Sequence, residues 1–166
     1  MNSMNIVIAA AALAGALVAT WAGLSAATSL ADPIGRLTGR WSGPGTLVPA
    51  TGPNQPFDCV VTYMPQPANG VVKQTLRCKG GDYKFEAATN LQFQGDKIAG
   101  RWEDKINSID GTVEGKVTDT GFEVDLKGRF FEAKMAVAGS DCQQTVKVQP
   151  HHADYIRELS AALKKC

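Results

Sequence analysis

Apolar and polar side chains alternate along most of this chain. Phe57, Cys59, Val61 and Tyr63 alternate with Asp58, Val60, Thr62 and Met64, and Val72, Gln74, Leu76 and Cys78 with Lys73, Thr75, Arg77 and Lys79. A period of two marks a strand with one face in a core. Pro65 to Gly70 lies between these runs and is rich in turn residues, which predicts a hairpin. The pattern continues with Tyr83, Phe85, Ala87, Leu91 and Phe93, then Ile98, Gly100 and Trp102 beyond a turn at Gly95-Asp96. Val113, Gly115 and Val117 follow, then Phe122, Val124 and Leu126, then Phe130 or Phe131 with Ala133, Met135 and Val137, and a last strand from about Cys142 to Val148.

Short strands at regular spacing with no helix between them predict antiparallel connections. About eight or nine of them in one domain predict an all-β, up-and-down barrel, because closure removes exposed edges. A recurring pentamer fits this expectation: Leu37-Thr38-Gly39-Arg40-Trp41 is echoed at Ile98–Trp102, Val113–Val117 and Leu126–Phe130, each with a central glycine. Glycine weakens a strand, so its repetition points to sharp bending or crowded backbone in a narrow barrel. The tail from Asp154 to Lys165 consists of good helix formers, with Tyr155, Ile156, Leu159 and Leu163 on one helical face. It predicts one C-terminal helix packed on the barrel. The expected domains are therefore 32–149 for the barrel and 150–166 for the helix.

The N-terminus changes the compartment. No charged residue precedes Asp32, and Ile6 to Ala27 is a run of small and apolar residues ending in Ser29-Leu30-Ala31. This reads as a signal peptide over residues 1–31, cleaved after Ala31. The alternative is an uncleaved anchor, since the run is long enough for a bilayer core of about 30 Å and carries no basic residue ahead of it. Either way residues 32–166 are expected outside the cytoplasm, in the periplasm. Cys59, Cys78, Cys142 and Cys166 all follow that segment, as disulfides in an oxidising compartment would. Four cysteines allow three pairings. The hairpin favours Cys59–Cys78, and the tail favours Cys142–Cys166. A loop of the first size stabilises a fold by about 3 kcal/mol.

The 17 basic and 16 acidic residues leave a net charge of +1, spread singly along the strands. That balance supplies no field for nucleic acid, and a membrane partner is expected only if residues 1–31 remain uncleaved. The histidines, His151 and His152, are adjacent and follow a proline, a poor setting for a catalytic base. Glu103, Asp104, Glu114 and Glu123 fall between apolar positions and are expected to point into solvent. No catalytic residues, metal ligands or cofactor are therefore assigned, and the protein is expected not to be an enzyme.

Gly39 and Trp41, followed by a strand meander, resemble the opening Gly-x-Trp of the calycin group: lipocalins, fatty-acid-binding proteins and avidin. The resemblance implies a barrel with a ligand-holding mouth, and a basic residue from a late strand covering the Trp, for which Arg129 is the candidate by position. Leu37, Gly39, Trp41, Cys59 and Cys78 also resemble the outline of the periplasmic metalloprotease inhibitors of Gram-negative bacteria. That resemblance implies a segment, here Asp32 to Arg36, that enters a protease cleft. A small hydrophobic molecule is the favoured partner, with Trp41, Tyr83, Phe85, Phe93, Trp102, Phe122 and Phe130 lining the barrel interior. Inward side chains commonly fill a small barrel, but Ala87, Gly100, Gly115 and Gly128 would leave room. The alternatives are a protein partner, as for an inhibitor, and a structural envelope role.

Overall fold

The computed structural model describes residues 32–81, 83–152 and 154–166; the expected signal peptide lies outside them. A short helix, α1 (Asp32–Leu37), precedes ten strands: β1 (Gly39–Pro49), β2 (Gln55–Gln66), β3 (Val71–Gly80), β4 (Tyr83–Gln94), β5 (Lys97–Asp104), β6 (Ile109–Thr118), β7 (Gly121–Gly128), β8 (Glu132–Gly139), β9 (Gln143–Pro150) and β10 (Ile156–Lys164). Each strand pairs antiparallel with the next, and β10 pairs back onto β1 to close the barrel. The all-β antiparallel barrel is thus as expected, with ten strands instead of eight or nine.

The tenth strand is the segment expected to be the C-terminal helix. Ile156–Lys164 is extended, with Leu47 and Val148 flanking Leu159 on the two neighbouring strands. Its helix-forming residues are a weak preference of at most about 0.7 kcal/mol each, and two complete ladders of hydrogen bonds outweigh it. Without β10, both β1 and β9 would expose an edge. Residues 156–164 therefore belong to the barrel.

Alternation puts odd positions of β1 and β2 and even positions of β3 inward, so the core is the barrel axis. One end of that axis is plugged. Ile34 and Leu37 of α1 are buried there with Trp41, Phe122, Val137 and Leu163, and α1 packs on β6, β7 and β8. The Trp41 indole donates to the Leu37 carbonyl at 2.7 Å, and the Lys165 ammonium donates to Arg36 O at 3.1 Å and Thr38 O at 3.2 Å. These donors reach carbonyls that a helix C-terminus leaves without partners. Arg36 in turn donates to Asp119 O in the β6–β7 turn at 3.1 Å.

Leu37 accordingly belongs to α1 and not to the first strand. The cation over Trp41 is Lys165, 4.8 Å from the ring centroid; Arg129 lies over Phe130 instead, at 5.1 Å. Its place late in the chain suggested Arg129, but that residue follows the end of β7 at the opposite end of the barrel. The segment that the inhibitor resemblance would send into a protease, Asp32 to Arg36, is packed on its own barrel, with Ile34 buried.

The strand glycines are explained by crowding. A Cβ on Gly100 would overlap the carbonyl oxygen of Asn90, and one on Gly115 that of Glu123. Disulfides join Cys59 to Cys78, across β2 and β3, and Cys142 to Cys166, which fastens the end of β10 to the β8–β9 connection. Such bonds persist in oxidising compartments. Among the described residues no helix is long and apolar enough to cross a membrane.

Candidate functional site

Turns after odd-numbered strands all lie at the end away from α1, and that end is open. A cavity of about 330 Å³ runs inward from it, lined by residues from most of the strands. The alternating pattern builds its wall. Phe57, Leu76, Phe85 and Ala87 come from β2 to β4, Trp102 and Leu126 from β5 and β7, and Leu159 and Ala161 from β10. Phe131 completes it beside Trp102, with ring centroids 6.0 Å apart at 77°. The Cys59–Cys78 disulfide faces inward and forms part of the same wall.

Polar groups on the wall are few: Lys84 and Asn107 near the mouth, and Gln74, Thr89, Asp104 and Ser160. Asp104 was expected in solvent and is 1% exposed, because it shares the inward phase of Ile98, Gly100 and Trp102. Its carboxylate is occupied by the β5–β6 turn. Oδ1 accepts from the Ile106 N–H at 2.9 Å and the Asn107 N–H at 3.2 Å, and Oδ2 accepts from Asn107 Nδ2 at 2.7 Å. Below the cavity, Gln74 Nε2 donates to the Tyr63 hydroxyl at 3.4 Å, which donates to Gln144 Oε1 at 3.5 Å. Burial pushes the Tyr63 phenol well above its ordinary pKa, with the two glutamines opposing the shift.

The aromatic residues proposed from sequence divide by height along the axis. Tyr83, Phe85 and Trp102 line the cavity. Trp41 and Phe122 do not; they fill the plugged end, Phe122 edge-on to Tyr63 with centroids 6.4 Å apart. Phe93 packs against that same core from the β4–β5 end and is not part of the wall. Phe130 is 80% exposed, since Gly128 N bonds Phe131 O at 2.8 Å in a tight turn that shifts the phase by one and sends Phe131 inward. Of the small residues, Ala87 borders the cavity, whereas the space beside Gly100 and Gly115 is filled by neighbouring backbone. Phe57, Leu76 and Leu126 were in phase with residues already singled out. Leu159 and Ala161 were hidden by the helical reading of the tail.

Neither histidine borders the cavity. His151 lies outside the barrel, with Nδ1 3.7 Å from Glu132 and Nε2 3.8 Å from Asp125, and His152 is exposed. A second, more open depression of about 550 Å³ lies by the β5–β6 turn, crossed by the Arg101–Asp110 ion pair at 3.3 Å. It is polar and encloses little.

No family model matches the chain, and no curated protein matches it. Solved structures do. The chain is similar to Rv2717c from M. tuberculosis, with a TM-score of 0.66, 13% identity, and coverage of 81% of this chain and 96% of that one. It is also similar to the S-type phycobiliprotein lyase CPES from Guillardia theta, with a TM-score of 0.58, 8% identity, and coverage of 80% and 89%. At such identities the likeness is one of fold, a closed antiparallel barrel.

Proposed function

We propose that this protein is a non-enzymatic, lipocalin-like carrier of the periplasm that holds a small hydrophobic molecule inside its barrel. The observation that supports this reading is the apolar cavity of about 330 Å³, open at one end and plugged at the other. Its volume is at the small end of ligand pockets, which span about 300–1,000 Å³, and its walls are apolar with a few polar groups, the usual composition of such sites. Fold alone does not decide against catalysis, since one of the similar barrels is named a lyase; the non-enzymatic reading rests on the wall residues. Export rests on the sequence of residues 1–31 and on two disulfides.

The test is native mass spectrometry of the exported protein under non-reducing conditions, followed by titration with an environment-sensitive apolar dye. A defined small-molecule adduct, or saturable dye binding abolished by Ala87→Phe or Ala161→Phe in folded protein, is the expected result. A bare oxidised chain that binds no dye would overturn the reading.

A further inference from the structure

The large apolar side chains most exposed among the described residues are Tyr83 at 45%, Ile106 at 51%, Phe130 at 80%, Tyr155 at 86% and Met64 at 45%. All but Met64 lie at the mouth, one on each of four successive hairpin ends: β3–β4, β5–β6, β7–β8 and β9–β10. Each has an exposed cation within two positions in sequence: Lys84 beside Tyr83, Lys105 beside Ile106, Arg129 beside Phe130, and Arg157 close to Tyr155. Among the described residues the plugged end carries no such set; Met64, near the end of β2, stands without a described counterpart there.

Tips of this kind suit the boundary between headgroups and acyl chains, where aromatic rings settle and flanking Lys and Arg reach out to phosphate. Acidic groups on the same hairpins equal these four cations in number, so the rim offers both signs to a headgroup layer and the apolar tips carry the attraction. Glu103 is paired with Lys105 at 3.5 Å and Glu132 faces His151 at 3.7 Å, while Asp82 and Asp154 are close to Tyr83 and Tyr155 in sequence. The tips are also separated by polar turn residues such as Asn107, Ser108, His151 and His152. Discrete pegs around a ring match a yielding headgroup layer better than the continuous apolar patch of a protein interface.

We propose that the mouth docks on a lipid bilayer, with Phe130 and Tyr155 seated among the headgroups. The cavity then opens directly onto the bilayer, and an apolar molecule passes between the two without crossing water. Docking stands on the rim alone; only the transfer of cargo rests on the carrier reading above.

The experiment expresses the full chain with its N-terminal segment, recovers it from the oxidising compartment, and sediments it with vesicles of phosphatidylcholine containing phosphatidylglycerol. The native protein is expected to bind, and the double substitution Phe130→Asp with Tyr155→Asp to weaken binding by about tenfold or more while the barrel still melts cooperatively. A Phe130→Trp protein is expected to show blue-shifted emission, quenched by brominated lipid. Equal sedimentation of native and doubly substituted protein, absence of vesicle binding, or a Trp at 130 that keeps its aqueous spectrum in the bound state would each overturn the proposal. The apolar-dye titration is run on the same proteins. Docking without dye binding removes the carrier reading alone, and dye binding without docking removes this one alone.

Discussion

Lys165 lies 4.8 Å from the centre of the Trp41 ring and donates to two carbonyls of the plug, so its replacement removes three contacts at once. Lys165→Met keeps the apolar stem and loses the ammonium. It is expected to lower unfolding free energy by about 1 kcal/mol, read from denaturant midpoints. Glycines give a sharper contrast. Gly100→Ala presses a methyl group into the Asn90 carbonyl and is expected to cost about 1–3 kcal/mol, the usual range for overpacking, whereas Gly35→Ala in α1 meets nothing within 4 Å and should be neutral or mildly stabilising. Tyr63 adds a pH dependence. Its folded pKa is raised by burial, so the folded state holds its proton more tightly than the unfolded chain, whose phenol titrates near 10. Stability is therefore full below about pH 10 and falls as pH rises beyond it, by up to about 1.4 kcal/mol per pH unit from this group. Tyr63→Phe should flatten that alkaline loss in melts between neutral and strongly alkaline pH. An unchanged alkaline profile would mean the phenol is not buried as described.

At the scale of elements, the eight alternating runs that form β2 to β9 were legible in sequence, with β1 marked only by Gly39 and Trp41, and so was the Cys59–Cys78 pairing that the first hairpin brings together. The tenth was not. Leu159, Ala161 and Leu163 do alternate with Ser160, Ala162 and Lys164, but Glu158, Leu159, Ala161 and Ala162 are also strong helix formers, and a local signal could not choose between periods. What decides is non-local: β1 and β9 need a partner. The plug was missed for a related reason, since a six-residue helix has too few positions for a period to show, and its stability comes from Trp41, Lys165 and the barrel rim. The cavity wall was half legible. Phase identified Tyr83, Phe85 and Trp102, but phase says only in or out, and height along the axis separates these from Trp41, Phe93 and Phe122. If β10 is the closing strand, the Cys142–Cys166 disulfide acts as its clasp. Replacing both cysteines with serine is expected to cost about 3 kcal/mol, and the loss should appear first as hydrogen exchange along β10 and its ladder to β1. A helix at the C-terminus would instead leave the β1 amides indifferent to that change.

Across the whole molecule the two ends have opposite tasks. The plugged end concentrates the largest buried side chains and the donors that complete α1, whereas the open end carries the cavity, the Asp104-braced turn and the exposed tips. A ligand in the cavity adds contacts only toward the open end, so its effect on motion should be lopsided. At a ligand concentration of a hundred times Kd, binding is expected to stabilise the fold by about 2.7 kcal/mol. Because the plug already has its partners, that stabilisation should appear as slower hydrogen exchange in the β3–β4, β5–β6 and β7–β8 turns, with α1 and the β6–β7 turn changed only as far as global unfolding is suppressed. Protection arising first at α1 would place the ligand at the plugged end, where the side chains leave it no room. Protection spread evenly over all strands would mean that the molecule binds the outside of the barrel or stabilises it without entering. The distinction is sharpest at Asn107, whose N–H is held by Asp104 at the cavity wall and whose turn stands between the interior and the mouth.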